Sequence, residues 1–229
     1  MEMKYIFFYL SLVIATVATA RAQTPEELLA KIRAKLDKVN DYEADGKMKT
    51  NVAFIKAPVA SVKVYYKKPG KLRIRNEKGI SFIPKGSVNV NVGSLFVNHA
   101  GYDVIDMGKQ EGLRVLKLLP KDENADVVLS TLYIDEDKLL VKKARTTTRE
   151  NGTYELEMTY GKYAEYALAD KVIFTFNTKD YKLPKGVTFD YDDGSEKASA
   201  RKKMSDKGEV EIIYTSYIIN KGVREEVFQ

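Results

Sequence analysis

The sequence of 229 residues contains no cysteine, no tryptophan and one histidine. Without cysteine there are no disulfide bonds, no thiol catalysis and no thiolate zinc sites, so the fold must be held by buried apolar area. His99 is the single imidazole, so a multi-histidine metal site is excluded and a Ser-His-Asp triad would have to use it. It precedes a glycine turn, and we expect a partly exposed turn histidine. We predict no metal, no cofactor and no catalytic residue.

Long apolar runs are scarce, and the one that stands out extends from Tyr5 to Val17. A basic start precedes this run and small residues follow it at 18–22, which is the pattern of a secretory signal peptide. The run is shorter than the ~20 residues that span a bilayer, so a retained anchor is not expected. We predict cleavage after Ala22, with Ala20 as the second choice, and a soluble exported domain at 23–229. The lack of cysteine excludes a lipidated export signal.

The formal net charge is +6, and charged residues make up 31% of the chain. An exported protein gains little from nucleic acid, so we expect no nucleic-acid partner and consider anionic membrane surfaces or acidic proteins instead. Basic residues concentrate at 195–208, where Lys202 and Lys203 are candidates for docking on such a surface. The alternative is a solvated hairpin tip whose charge only maintains solubility.

The exported part is predicted to begin with an amphipathic helix. Thr24 suits the N-cap, Pro25 the first helical position and Glu27 the third, which together form a capping box. Asn40-Asp41 is predicted to end the helix. Residues spaced by four, four and three form one apolar stripe, namely Leu28, Ile32, Leu36 and Val39.

From Tyr42 onward the apolar period changes to two, which is typical of half-buried strands. The alternation is clear at 48–54, 61–67, 71–75 and 88–92, with turns such as Ala57-Pro58 and Lys68-Pro69-Gly70 between these strands. Short connections of this kind predict an antiparallel meander. The segment Leu113–Leu119 fits either a strand or a short helix.

A sheet of about ten strands must curl, because strand twist accumulates across it. We therefore predict an α+β, mostly β fold: a curled antiparallel sheet, or half-barrel, with the N-terminal helix and optional short lid helices over its concave face. That face must be filled by its own side chains, by the helix or by a ligand.

Several segments resemble the LolA family of periplasmic outer-membrane lipoprotein carriers. Besides the short helix after the signal and the charged first hairpin, the segments that carry this resemblance are Tyr65–Arg73 (YYKKPGKLR), Leu132–Asp135, Leu139–Lys143, Val172–Phe176, Leu183–Val187 and Tyr217–Phe228. They cover nearly all of residues 23–229 in order. The resemblance implies a monomeric periplasmic protein whose apolar cavity receives lipoprotein acyl chains from an inner-membrane transporter and delivers them to an outer-membrane acceptor, with transient membrane contact.

In family members, an arginine just before the turn proline latches the lid, and an aromatic residue follows three positions after that proline. Here Lys68 and Leu72 occupy these positions. Lysine lacks the planar, multi-donor geometry of arginine, so Lys68 and the nearby Arg73 are both candidates for the latch.

A lipid carrier needs a large apolar lining, since each methylene moved from lipid into water costs roughly 0.8 kcal/mol. An ordinary closed core, sealed by the helix stripe, is the alternative interpretation of the same residues. The lining candidates are Leu28, Ile32 and Leu36 on the helix and Val62, Val64, Tyr66, Leu72 and Ile74 on the early strands.

Two other functions remain open from the sequence. Relatives of the carriers use the same half-barrel to bind lipid or to sense envelope stress through a membrane-protein partner without transport. An enzyme would need a carboxylate pair such as Asp190 with Asp192 or Asp193, but Asp-Asp-Gly at a strand end is common turn chemistry. We predict a binding protein and not an enzyme.

Overall fold

Helix α1 (Pro25–Leu36) is the first element of the structure, a computed structural model that describes residues 23–51, 59–76, 101–150, 152–177 and 207–228. It begins as predicted. The Glu27 backbone N–H donates to the Thr24 hydroxyl at 3.2 Å, and the Thr24 N–H donates to the Glu27 carboxylate at 3.4 Å. This capping box satisfies two of the backbone donors that a helix N-terminus leaves unpaired.

The helix is shorter than predicted and does not reach Asn40. Two side chains from distant parts of the sequence donate hydrogen bonds to carbonyl groups just after its last turn. The Lys68 ammonium donates to the Asp37 carbonyl at 2.9 Å, and the Asn220 side-chain amide donates to the Lys38 carbonyl at 2.8 Å. Because these partners are far away in sequence, the apolar period alone overestimates the length of the helix.

Ten strands follow in the described part of the chain. They are β1 (Asp41–Asn51), β2 (Ala60–Lys67), β3 (Lys71–Asn76), β4 (Tyr102–Gln110), β5 (Leu113–Pro120), β6 (Val127–Asp135), β7 (Leu140–Thr148), β8 (Thr153–Thr159), β9 (Lys171–Asn177) and β10 (Lys207–Ile219). Short 3-10 helices lie at Ala164–Tyr166 and Glu225–Phe228. The ambiguous segment Leu113–Leu119 is thus a strand, β5.

All ten strands form one antiparallel sheet in the order β3-β2-β1-β10-β9-β8-β7-β6-β5-β4. The predicted mostly β fold with a curled, open sheet is confirmed. The predicted simple meander is only partly right, because β3 and β4 lie at opposite edges and do not pair. Instead β1 pairs with β10 in the interior of the sheet, from Tyr42 opposite Ile219 to Asn51 opposite Glu209.

Several predictions concern residues outside the described ranges. They are the signal peptide at 1–22, the Ala57-Pro58 turn, the strand at 88–92, His99, the carboxylates Asp190, Asp192 and Asp193, and the basic segment with Lys202 and Lys203.

One face of the sheet, here called the inner face, is mostly apolar, with the buried hydroxyls of Ser130, Thr146 and Thr148 among its side chains. Residues opposite each other in adjacent strands share a face, so the register can be followed across the sheet. One such row consists of Ile74, Val64, Ala44, Tyr217 and, further along β10, Ile212, which continues into Val172 and Met158. Nearly all of these side chains are buried.

The outer face carries the charged residues of the same strands. Lys63 lies between Glu43 and Asp45, at 2.8 and 3.0 Å from their carboxylates, and lysines on β7 and β9 make similar cross-strand pairs. The Lys63 hydrogen bond lowers the pKa of Asp45. Exposed pairs of this kind contribute about 0–1 kcal/mol each, so the inner face supplies most of the stability.

Small residues on β1 make room for tyrosine rings on β10. Ala44 lies opposite Tyr217 and Gly46 opposite Tyr214, at a point where the register shifts by a bulge. A Cβ on Gly46 would lie 2.8 Å from the Ile213 carbonyl oxygen, closer than real side chains approach backbone.

We therefore predict that Gly46→Ala lowers the free energy of unfolding by about 1–3 kcal/mol, because the backbone of β10 must shift. Urea denaturation followed by circular dichroism measures this change. The control is Lys47→Ala, at an exposed neighbouring position, which should stay within about 0.5 kcal/mol of the wild type. Equal stability of both variants would contradict the close approach.

Candidate functional site

The buried side chains of the inner face form two clusters. The first cluster contains Leu28, Ile32, Leu116, Leu118, Leu132, Ile134, Val141, Ala144, Tyr154, Leu156, Met158, Ala169, Val172, Phe174 and Phe176. The second cluster contains Val39, Tyr42, Ala44, Met48, Val62, Val64, Tyr66, Ile74 and Ile212. Val210 and Tyr214, both on β10, pack against both clusters, so the two are parts of one surface.

Helix α1 covers the first cluster only. Leu28 and Ile32 are each 1% exposed, and Leu36 packs partly buried against the same cluster. The helix end near Leu36 is also tied to the turn after β6, where the Lys35 ammonium donates to the Lys138 carbonyl at 2.6 Å. The three residues of α1 that were predicted to line the cavity therefore come together on the inner face.

The early-strand candidates lie in the second cluster, away from α1. Val62, Val64, Tyr66 and Ile74 are buried members, and Leu72 packs against them partly buried. The structure thus divides the predicted lining into two groups. The reason is the strand order, since β10 and β9 stand between the early strands and the part of the sheet beneath the helix.

The segment between β8 and β9 also lies on the inner face. Its 3-10 helix, Ala164–Tyr166, contacts α1, while Tyr166 and Leu168 pack against the second cluster. Ala169 belongs to the first cluster. This short segment therefore covers the region beside α1, in the place where the sequence allows a short lid helix.

A group of tyrosines at the meeting point of the two clusters was missed by the sequence analysis. Ring centroids lie 5.2 Å apart for Tyr42 and Tyr66, 5.3 Å for Tyr42 and Tyr217, 5.1 Å for Tyr214 and Tyr217 and 4.9 Å for Tyr163 and Tyr217. We call these five residues the tyrosine cluster. The signal available in the sequence was the fifteen tyrosines in a chain without tryptophan, but composition does not tell which of them meet.

Burial keeps the phenols of Tyr42, Tyr214 and Tyr217 neutral. Desolvation raises the pKa of Tyr42 well above its ordinary value, and the nearby hydroxyls of Tyr214 and Tyr66 raise it further. Burial likewise raises the pKa values of Tyr214 and Tyr217, and that of Tyr160 in the first cluster region. An ionised phenol would lose its hydration here without gaining a cation.

Lys68 contacts the C-terminal end of α1. Its ammonium lies 2.9 Å from the Asp37 carbonyl oxygen and 3.0 Å from the Asp37 carboxylate. Asn220 binds the same loop, because its side-chain oxygen accepts the Asn40 N–H at 2.7 Å. The predicted latch position is thus occupied by a lysine that reaches the helix, and its role as a latch remains a prediction.

The structure does not bring Arg73 to the helix. Arg73 lies opposite Tyr65 and so points to the outer face, whereas its neighbours Leu72 and Ile74 belong to the inner face. The 3-10 helix Glu225–Phe228 packs there against β3. Alternation along the strand thus places Arg73 on the face opposite to that of Leu72 and Ile74, and its role as a latch candidate remains a prediction.

Within the described ranges, no three acidic or histidine side chains cluster in a way that would bind a metal ion. The same ranges contain no helix long and apolar enough to cross a membrane.

The fold matches three solved structures over most of their length. A domain from Vibrio parahaemolyticus described as an outer membrane lipoprotein-sorting protein has a TM-score of 0.55 at 11% identity, covering 88% of this chain and 94% of that one. A LolA superfamily protein from Nitrosomonas europaea has a TM-score of 0.51 at 10% identity, with 88% and 97% covered. A DUF1329 family protein from Desulfovibrio piger has a TM-score of 0.52 at 13% identity, covering 89% of this chain and 95% of that one.

No family model and no curated protein matches the sequence. At identities of 10 to 13%, the likeness establishes the fold alone. The chain has the fold of the LolA superfamily, and the resemblance drawn from the sequence is confirmed at that level.

The contact between Lys68 and Asp37 leads to a prediction about α1. In Lys68→Met the helix end loses its cation, so amide hydrogen exchange in α1 should become about fivefold faster, as expected for roughly 1 kcal/mol. The control is Lys63→Met, which removes an equally paired ammonium from the outer face and should leave α1 unchanged. Equal exchange in all three proteins would show that Lys68 does not hold the helix.

The raised tyrosine pKa values predict alkaline instability. Below about pH 10 the phenols are neutral in both states, and their contribution to stability is complete. Above it the unfolded state loses protons that the folded state keeps, so the free energy of unfolding falls by up to about 1.4 kcal/mol per pH unit for each such tyrosine. Ultraviolet titration should show that part of the fifteen tyrosines ionise only with unfolding. Ionisation of all of them near pH 10 with native circular dichroism would contradict this.

Proposed function

We propose that the inner face binds the acyl chains of lipoproteins or of other lipids beneath α1, and that the protein carries them through the periplasm to the outer membrane. The observation that supports this most directly is the mismatch between a wide, mostly apolar sheet and the single short α-helix found in the described part of the chain. Nine strand spacings of ~4.8 Å make the sheet roughly 43 Å wide along its curve. A helix of twelve residues is about 18 Å long and about 10 Å across.

In the described structure the predicted lining is closed. Val64 and Ile74 are 0% exposed, and Leu28 and Ile32 are 1% exposed, so an acyl chain has to displace something to reach them. Binding therefore requires α1, or the segment between β8 and β9, to move away from the face. The protein is thus proposed to exchange its own apolar cover for the hydrocarbon of its cargo.

The free energies favour such an exchange. Leu28 and Ile32 contribute about 1.5–3 kcal/mol each by burial. An acyl chain with about 15 methylenes contributes roughly 12 kcal/mol at 0.8 kcal/mol per methylene. The free energy of burying two or three acyl chains therefore exceeds the free energy of the apolar contacts that the helix gives up.

The polar contacts of α1 suggest how it opens. Lys68 and Asn220 bind the loop after its C-terminal end, which connects directly to β1. Its N-terminal half is held to the sheet mainly by apolar packing. We therefore propose that α1 lifts away from the sheet as a lid that stays attached through the loop 37–40, and that Lys68 is the latch that holds its C-terminal end in the closed position.

The remaining parts of the proposal follow from the carrier role. A donor transporter in the inner membrane, an acceptor in the outer membrane and transient contact with a membrane surface are the expected partners, and the carrier is expected to act as a monomer. Docking through Lys202 and Lys203 stays a prediction from the sequence. The similarity of the fold to a domain described as lipoprotein-sorting supports this function without identifying the cargo.

The absence of native cysteine allows a direct test of the lid. Cysteines at Lys35 and Lys138, whose side chain and carbonyl are in contact, are joined by a short bismaleimide. With α1 fixed to the sheet, binding of a fluorescent diacylated lipopeptide should fall at least about tenfold, because the lining stays covered. The two single-cysteine variants, each labelled with a monomaleimide, serve as controls and should bind as the wild type does.

A second measurement tests the function itself. The protein purified from a bacterial periplasm is analysed by native mass spectrometry, followed by organic extraction of bound material. Diacyl or triacyl species are the expected result. If no lipid is recovered and the wild type does not bind the lipopeptide, the carrier function is wrong; if the crosslinked protein binds normally, only the lid is wrong.

A further inference from the structure

A row of cations runs along the outer face of β3, at one edge of the sheet. Lys71, Arg73 and Arg75 occupy every second position of this strand, and Lys67 on β2 lies opposite Lys71. Residues two apart on a strand share a face and are separated by about 6.6 Å. The three cations of β3 therefore form a line about 13 Å long.

The end of the chain lies over this row. Residues 223–228, here called the C-terminal strap, include the 3-10 helix that packs against β3. The Lys67 ammonium donates to the Val223 carbonyl at 3.2 Å and to the Glu225 carboxylate at 3.1 Å. Lys71 forms an ion pair with the same carboxylate. One end of the row is thus neutralised by an acidic side chain of the strap.

The strap satisfies the other end of the row incompletely. The Arg75 guanidinium donates to the Val227 carbonyl at 2.8 Å, an acceptor without charge. The Nε of Arg73 is buried and has no hydrogen-bond partner among the residues that the structure describes. Buried polar groups are normally satisfied, and a guanidinium is best satisfied by a carboxylate that accepts two parallel hydrogen bonds. The strap is therefore an imperfect occupant, and a better one carries more negative charge.

The contacts of the strap also define the chemistry of that better occupant. The surface binds two main-chain carbonyls and one carboxylate of the strap, so it accepts a polypeptide. In an extended segment, carboxylates at every second residue have the same spacing as the cations of β3. Arg73 and Arg75 are only partly exposed, so a narrow chain reaches them more easily than the flat surface of a membrane does.

We propose that the outer face of β3 binds an extended acidic segment of a partner protein, with a carboxylate at every second residue, and that the C-terminal strap covers this surface when no partner is bound. The partner displaces Glu225 from Lys67 and Lys71 and supplies carboxylates to Arg73 and Arg75. This interaction does not depend on the proposed lipid-binding function, because it uses the opposite face of the sheet.

Fluorescence anisotropy of the full mature chain with two labelled heptapeptides tests this surface. Both peptides contain three glutamates and two valines between terminal glycines; in one the glutamates alternate with the valines, and in the other they are contiguous. The wild type should bind the alternating peptide about fivefold more tightly, because its carboxylates match the row. Glu225→Gln loosens the strap and should increase the affinity for this peptide about threefold, as expected for an exposed ion pair.

Substitutions of the central cation test the site directly. Arg73→Gln should weaken binding of the alternating peptide about tenfold, because a charge-assisted hydrogen bond is lost. Arg73→Lys keeps the charge and should lose less than about threefold. The matched control is Arg145→Gln, which removes an exposed guanidinium from the outer face of β7 and should bind as the wild type does.

Three results would overturn the proposal: equal affinity of the wild type for both peptides, unchanged binding by Arg73→Gln, or no binding by either the wild type or Glu225→Gln. Sedimentation with phosphatidylglycerol vesicles provides the remaining comparison. If the wild type binds these vesicles, Arg73→Gln does not, and neither peptide binds, the surface docks on a membrane and the acidic-segment proposal is wrong. None of these outcomes changes the expected binding of the lipopeptide to the inner face.

Discussion

The pairing of β1 with β10 is the interaction on which the rest of the structure depends. It joins the three early strands to the seven later ones and makes a single ten-stranded sheet. Its register places Ala44 opposite Tyr217 and Gly46 opposite Tyr214, so that the apolar residues of both parts lie on one face. Without it, the two apolar clusters would belong to two narrow sheets, neither of which would offer a continuous surface. The loop from α1 enters β1 directly, and Asn220, just after β10, binds that loop, so the same pairing also anchors the helix.

The inner face has two roles that are normally separate. It is the hydrophobic core of the closed protein and, in the proposed function, the binding surface for hydrocarbon. Both roles use the same nondirectional free energy of apolar burial, which is why a cover as small as α1 can be replaced by acyl chains. Specificity must then come from the few polar groups on that face.

Much of the fold was predictable from short stretches of sequence. The capping box of Thr24 and Glu27 placed the start of α1, and the spacing of Leu28 and Ile32 identified its buried side. Alternation placed Val62 and Val64 correctly on a buried face of β2. The prediction failed where a distant partner decides the outcome. The end of α1 depends on Lys68 and Asn220, which are far away in the sequence.

The candidate site, too, was predictable only in part from the sequence. Its apolar character was set by the sequence alone, because the periods of two and of about 3.6 are properties of neighbouring residues and express which side of each element avoids water. Which of those residues meet was decided only by the tertiary structure. Tyr42 and Tyr217 are separated by most of the chain, and they touch because the sheet brings its first and last strands together. Local periodicity carries no information on that closure, since many strand orders bury the same residues equally well, and only the packing of whole strands selects one of them.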